Sequence, residues 1–149
     1  MTFTIFSKSL SKAVLVALAF GAAAPAAMAD GNRVTLEQWG VRNGVGTAQY
    51  GLNNRLTVTQ DGWRNSAIAT QDGARNRTVL GQTGTANDIV ASQQGRCNVL
   101  GVSQHGVRNQ ADVSQRGRCN ALGVIQSGAG NRATTHQVGN GNIAVIVQD

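Results

Sequence analysis

The sequence predicts an all-β fold: a β-solenoid of 22-residue strand-turn-strand-turn rungs, with 11 strands in two facing parallel sheets and the capacity to form amyloid. Three observations predict it. Glutamine, glycine and asparagine recur with a period of 11, without insertion or deletion, between Asn32 and Gln148. Each asparagine is joined to the next glutamine by residues that alternate in polarity, the period of a strand with one buried face. Charged residues make up only 13% and aromatics 4% of the 149 residues, with 19 glycines, against a usual charged share of about 25%. Such a polar, uncharged chain is either disordered or locked in stacked β-structure, and strict register throughout selects the second.

Residues 1–29 read as an export signal removed from the mature domain, 30–149. Lys8 and Lys12 precede the apolar run Ala13 to Phe20, and Ala27-Met28-Ala29 offers a small-residue cleavage site before Asp30. The apolar run is shorter than the roughly 20 residues a membrane span needs. Cleavage removes both lysines and lowers the formal net charge from +6 to +4. Every remaining cation is arginine. The arginines look scattered along the chain and lack interleaved aromatics, which speaks against specific nucleic-acid binding. The positive surface could hold anionic matrix polymers such as acidic polysaccharide or lipopolysaccharide, but it names no partner and reads first as a solubilising charge.

The repeat unit fixes the elements in order. Asparagine opens each strand at Asn32, Asn43, Asn54, Asn65, Asn76, Asn87, Asn98, Asn109, Asn120, Asn131 and Asn142. Glutamine closes each at Gln38, Gln49, Gln60, Gln71, Gln82, Gln93, Gln104, Gln115, Gln126, Gln137 and Gln148. Turn glycines follow at Gly40, Gly51, Gly62, Gly73, Gly84, Gly95, Gly106, Gly117, Gly128 and Gly139, where the chain must reverse. An 11-residue period also suits a right-handed coiled coil. One glycine in each unit, at about 1 kcal/mol apiece, and the β-branched enrichment exclude that reading.

Alternate strands differ in bulk. The first, third and later odd strands carry inward pairs such as Leu56/Val58, Leu100/Val102 and Leu122/Val124, whereas the intervening strands carry pairs such as Ala67/Ala69 and Ala133/Thr135. Large faces small across two sheets, so 22 residues make one rung and the interior fills evenly. Stacking at about 4.8 Å places each Asn and Gln over its copy 22 residues away, and inward amide ladders are expected in both columns.

Cys97 and Cys119 occupy matching Gly-Arg-Cys-Asn turns one rung apart. A disulfide is expected there in an oxidising compartment, with two free thiols as the alternative. No third ligand or base accompanies them, so neither a metal site nor thiol catalysis is expected, and no cofactor. His105 and His136 stand on different units, and Asp61 and Asp72 fall at opposite ends of the rung. No enzyme site emerges. The final strand presents Ile143, Val145 and Val147 on one face and apolar residues on the other, which marks it as an assembly edge. A surface- or ice-binding solenoid would need an outward threonine array, and Thr57-Val58-Thr59 is not continued in the neighbouring rungs.

The motif Gln-x-Gly-x-x-Asn-x-Φ-x-x-x-Gln, where Φ is apolar, as in Gln60-Asp61-Gly62-Trp63-Arg64-Asn65-Ser66-Ala67 through Gln71, resembles the curlin repeat of bacterial curli fibre subunits, and does so from Asn32 to Gln148. The resemblance implies a secreted amyloid subunit that crosses the outer membrane through a dedicated pore with accessory factors. It implies polymerisation at the cell surface, with itself and with a second curlin subunit, for adhesion and biofilm matrix. Asparagine at the start of every strand is similar to the minor, nucleating type. The regular final unit departs from that type, and the turn cysteines depart from both types, so the reading is a general fibre subunit with the nucleating role as its alternative.

Overall fold

The computed structural model describes residues 2–6 and 31–149. Apart from Thr2–Phe6, the export segment read over residues 1–29 lies outside the described residues. Twelve strands follow in order: β1 (Thr2–Phe6), β2 (Arg33–Val41), β3 (Gly44–Leu52), β4 (Arg55–Trp63), β5 (Ser66–Ala74), β6 (Arg77–Thr85), β7 (Asp88–Arg96), β8 (Val99–Val107), β9 (Gln110–Arg118), β10 (Ala121–Ala129), β11 (Arg132–Asn140) and β12 (Ile143–Gln148).

The repeat region forms a two-sheet solenoid. One sheet runs β1-β2-β4-β6-β8-β10-β12 and the other β11-β9-β7-β5-β3. Within the repeats every pairing is parallel and joins residues 22 apart, as in Leu56 with Thr78 and Gln71 with Gln93. The 22-residue rung and the two parallel sheets are therefore as the periodicity requires. β1 adds a further parallel strand against β2, placing Thr2 beside Arg33 and Phe6 beside Glu37.

Alternation decides which side chains meet between the sheets. Leu56, Val58, Leu80, Leu100, Val102, Leu122 and Val124 from the first sheet pack against Ala67, Ala69, Ile89, Ala91, Ala111, Val113 and Ala133 from the second. All are nearly or fully buried. Bulky branched residues from one sheet thus fill the space that alanines leave in the other, which keeps the interior dense without widening the sheet separation.

The strands extend further than the seven residues the sequence pattern marks out. Each begins just after the asparagine and continues through the glycine, leaving a corner of two residues. Two backbone features make that corner. The glycine has positive φ, as at Gly73 (113°), and two residues later a second left-handed residue follows, as at Arg75 (57°) and Cys97 (62°). The glycines therefore sit inside the strand ends as bends rather than in a separate four-residue turn. Gly73 also has no room for a side chain, because a Cβ there would land on the carbonyl oxygen of Gly95 in the next rung.

Candidate functional site

The strand alternation that buries the hydrophobic columns also aims the glutamine that closes each repeat inward, at the end of the core next to the corner. In the first sheet, Gln38 Nε2 donates to Gln60 Oε1 (2.7 Å) and Gln60 to Gln82 (2.7 Å). Gln82 then donates to Gln104 (3.0 Å), Gln104 to Gln126 (2.8 Å) and Gln126 to Gln148 (2.8 Å). The second sheet repeats this through Gln49, Gln71, Gln93, Gln115 and Gln137 at 2.6 to 2.9 Å. The other Nε2 hydrogen crosses to the facing strand, as from Gln60 to the Gly44 carbonyl (3.0 Å) and from Gln104 to the Asp88 carbonyl (3.0 Å). Interior amides such as Gln60, Gln71 and Gln104 are within 1% of complete burial. They are stable there because each donor and acceptor is matched, which removes the penalty for desolvating an amide.

Both glutamine columns point the same way. Each amide donates toward the C-terminal rung and accepts from the N-terminal one. Gln49, first in its column, therefore has a buried Oε1 with no donor. At the opposite end, Gln148 Nε2 is held by the Arg132 carbonyl (3.1 Å) and Gln137 Nε2 by the Ala121 carbonyl (3.4 Å). Each of these two amides keeps a second N–H free for another acceptor.

The asparagines do different work from the one their register suggests. Instead of an amide ladder like that of glutamine, they clasp the backbone. Asn54 Oδ1 accepts the Asn76 backbone N–H (3.0 Å), while its Nδ2 donates to the Tyr50 carbonyl (2.8 Å) and to the Gly73 carbonyl of the next corner (3.0 Å). Direct contacts between asparagine side chains occur at only three steps, such as Asn98 Nδ2 to Asn76 Oδ1 (3.2 Å). The shorter side chain cannot reach its copy while it also closes the corner, so the backbone wins. Asn142, with no described strand beyond it, is exposed, unlike Asn120 and Asn98.

The second left-handed corner residue escaped the sequence pattern, because its side chain varies: arginine at Arg42, Arg64, Arg75 and Arg108, alanine at Ala86, cysteine at Cys97 and Cys119. A non-glycine in this region costs about 1 to 2 kcal/mol. The asparagine clasp holds it. The signal available in the sequence was position, one residue before each asparagine, rather than residue type.

Cys97 and Cys119 are both free and exposed. They stand in superimposed corners, with the Cys97 N–H on the Ala74 carbonyl and the Cys119 N–H on the Arg96 carbonyl, each at 2.9 Å. A hydrogen bond with Cys97 is the main influence raising the Cys119 thiol above its ordinary range, helped by desolvation, while Arg118 and Arg96 pull it down. The corners are stacked one rung apart, at a spacing of about 4.8 Å that a disulfide accepts. Treatment with a mild thiol oxidant, which accepts two electrons as two protons leave, is expected to lower the intact mass by about 2 Da and abolish alkylation of both residues. Two alkylatable thiols after that treatment would exclude the bond.

At the open side of β12, Ile143 (79% exposed), Val145 and Val147 project outward. Ala144 and Ile146 face the core. Trp63 and Tyr50 are exposed at corners, and Trp39 is half-buried. Thr57 pairs with Thr35 and Val79, and Thr59 with Glu37 and Gly81, so the outward threonines form no continuous array.

These features define a class: a parallel, in-register β-solenoid whose rungs are tied by unidirectional glutamine ladders and whose corners are clasped by asparagine. The family model of the curlin associated repeat matches residues 29–62 and 64–95, and the same unit continues in sequence and register through Gln148. Over residues 29–95 the chain therefore carries the curlin associated repeat. No curated protein matches the chain closely enough to be counted a relative.

Proposed function

We propose that the chain is an exported structural subunit of a curli-like extracellular amyloid fibre, polymerising end to end at the bacterial cell surface for adhesion and biofilm matrix. One observation carries this reading. Gln49 Oε1 is buried without a donor, whereas every later glutamine of its column accepts from the rung before it. A second copy supplies the missing donor through the free N–H of Gln137 or Gln148. The open edges of β11 and β12 then acquire backbone partners, and Ile143, Val145 and Val147 align with the outward face of the incoming strand.

In this reading the partners are other copies, a second curlin subunit, and the outer-membrane pore with its accessory factors. No reaction or cofactor is assigned. The asparagine at every strand start and the exposed apolar face of β12 also support a nucleating role, in which substoichiometric amounts of this chain would shorten the lag of a second curlin subunit.

Fibre diffraction on residues 30–149, followed in parallel with an amyloid-sensitive dye, tests the proposal. Reflections near ~4.7 and ~10 Å appearing after a lag are expected. A soluble, β-rich monomer persisting for days would overturn it.

A further inference from the structure

The arginines that look scattered in the sequence are sorted by the fold. The chain passes from the second sheet to the first along one long edge, and back along the other. Arg33, Arg55, Arg75, Arg77, Arg96, Arg116 and Arg118 all lie along the first edge, at the corners or strand ends beside them, and among the described residues Asp72 is the one carboxylate there. The opposite edge carries Arg42, Arg64, Arg108 and Arg132 together with Asp61, Asp88 and Asp149. All eleven arginines are exposed.

Register sharpens the contrast. Arg33, Arg55 and Arg77 are stacked in successive rungs, and Arg96 is stacked on Arg118. Like charges directly opposite in a sheet repel, and at a rung spacing of about 4.8 Å this repulsion is only partly screened by salt. Arg96 and Arg118 also lie near enough to Cys119 to favour its thiolate, which places them around the same corners. Stacked in register, these arginines make a line of positive charge that runs along the solenoid axis.

We propose that this arginine edge binds a linear acidic polysaccharide, whose carboxylates lie along it in single file. A uronate chain carries one carboxylate on each sugar ring, and a sugar ring is about as long as a rung is high. Binding therefore relieves the stacked repulsion and releases counterions without bending either partner. Duplex nucleic acid fits less well, because its two strands wind around a wide cylinder and leave a straight edge after a short contact. Single strands need a series of stacking aromatics, and among the described residues this edge offers only Tyr50 of the repeat region. The inference rests on the stacked rungs alone and holds for the single chain as for a fibre.

The test compares two triple variants that remove equal charge. R75N/R96Q/R118Q strips the proposed edge, and R42N/R64N/R108N strips the opposite one, with asparagine used at the left-handed positions it tolerates. Binding to polygalacturonate is measured between ~50 and ~200 mM salt, with fully methyl-esterified polygalacturonan as the uncharged control. The first variant is expected to bind at least about ten-fold more weakly and to lose about two to three units of the logarithmic salt slope. The second should change affinity less than about three-fold. R75K/R96K/R118K, which keeps the charge, should bind like the parent and so separates lost charge from lost folding. Equal losses in the two triple variants, or tighter binding of duplex DNA than of polygalacturonate by the parent chain, would overturn the proposal.

Discussion

Replacing Gln93 by glutamate is expected to abolish the folded stack at pH 7 and to restore it in acid. Gln93 is 1% exposed. It accepts from Gln71 Nε2 and from the Thr78 hydroxyl, and donates to Gln115 Oε1 and to the Arg77 carbonyl. A carboxylate keeps the acceptor role but has nothing to donate, and it turns its charge toward the Gln115 oxygen inside a dry core. An uncompensated buried charge costs about 3 to 5 kcal/mol, a large part of the stability of a small domain.

The protonated acid restores an O–H donor toward Gln115 and removes the charge. Burial therefore raises the carboxyl pKa in the folded state above its unfolded value of about 4.3. The unfolded state loses its proton first, so stability is intact below about pH 4 and falls by about 1.4 kcal/mol per pH unit above that until the folded pKa is passed. β-sheet circular dichroism and fibre yield from pH 3 to 8 check this, with Gln94→Glu, an exposed neighbour, as the control. Equal yields of both variants at pH 7 would remove the glutamine ladder from the account of stability.

The second large effect concerns glycine. Gly73→Ala is expected to lower stability by about 3 kcal/mol or more, because a φ of 113° is strained for alanine and the Cβ strikes the Gly95 carbonyl. That carbonyl is also the acceptor for Asn76 Nδ2 (3.0 Å), so the clasp of the next corner is displaced with it. Gly81→Ala should move the other way by about 0.4 to 1 kcal/mol, since Gly81 lies in β6 with nothing within 4 Å of the added methyl group. Guanidinium midpoints for the two variants measure the difference. Similar midpoints would mean that neighbouring rungs can separate at Gly73 without penalty.

The rung was legible in the sequence because burial selects each position of a stack repeatedly. Val58, Val102 and Val124 occupy one column and Gln60, Gln104 and Gln126 the next, so period 2 within a strand and period 22 between strands both appear in the residue types. The asparagine clasp was not legible. Asn54 and Gln60 recur with equal strictness, and only side-chain reach relative to the corner separates a backbone contact from an amide ladder. The left-handed residue before each asparagine was hidden for the opposite reason, since its side chain faces solvent and is free to be arginine, alanine or cysteine. The arginine edge needed the fold as well: Arg75 and Arg64 are 11 residues apart, and half a rung sends them to opposite sides.

Since consecutive copies of a strand lie in one plane of hydrogen bonds and every rung presents the same outline, the cross-section of the molecule is independent of its length. Loss of residues 88–109, which form β7 and β8 with their corners, would bring β9 onto β5 and β10 onto β6 with leucine and alanine columns still facing. Loss of 88–98 alone would send the bulky pair Leu100/Val102 into the alanine sheet and overfill the interior. Duplication and deletion by whole rungs are thus neutral to the architecture, whereas half-rungs exchange the two sheets. A protein of this kind can change its contour length by recombination between its own repeats without redesigning a single contact.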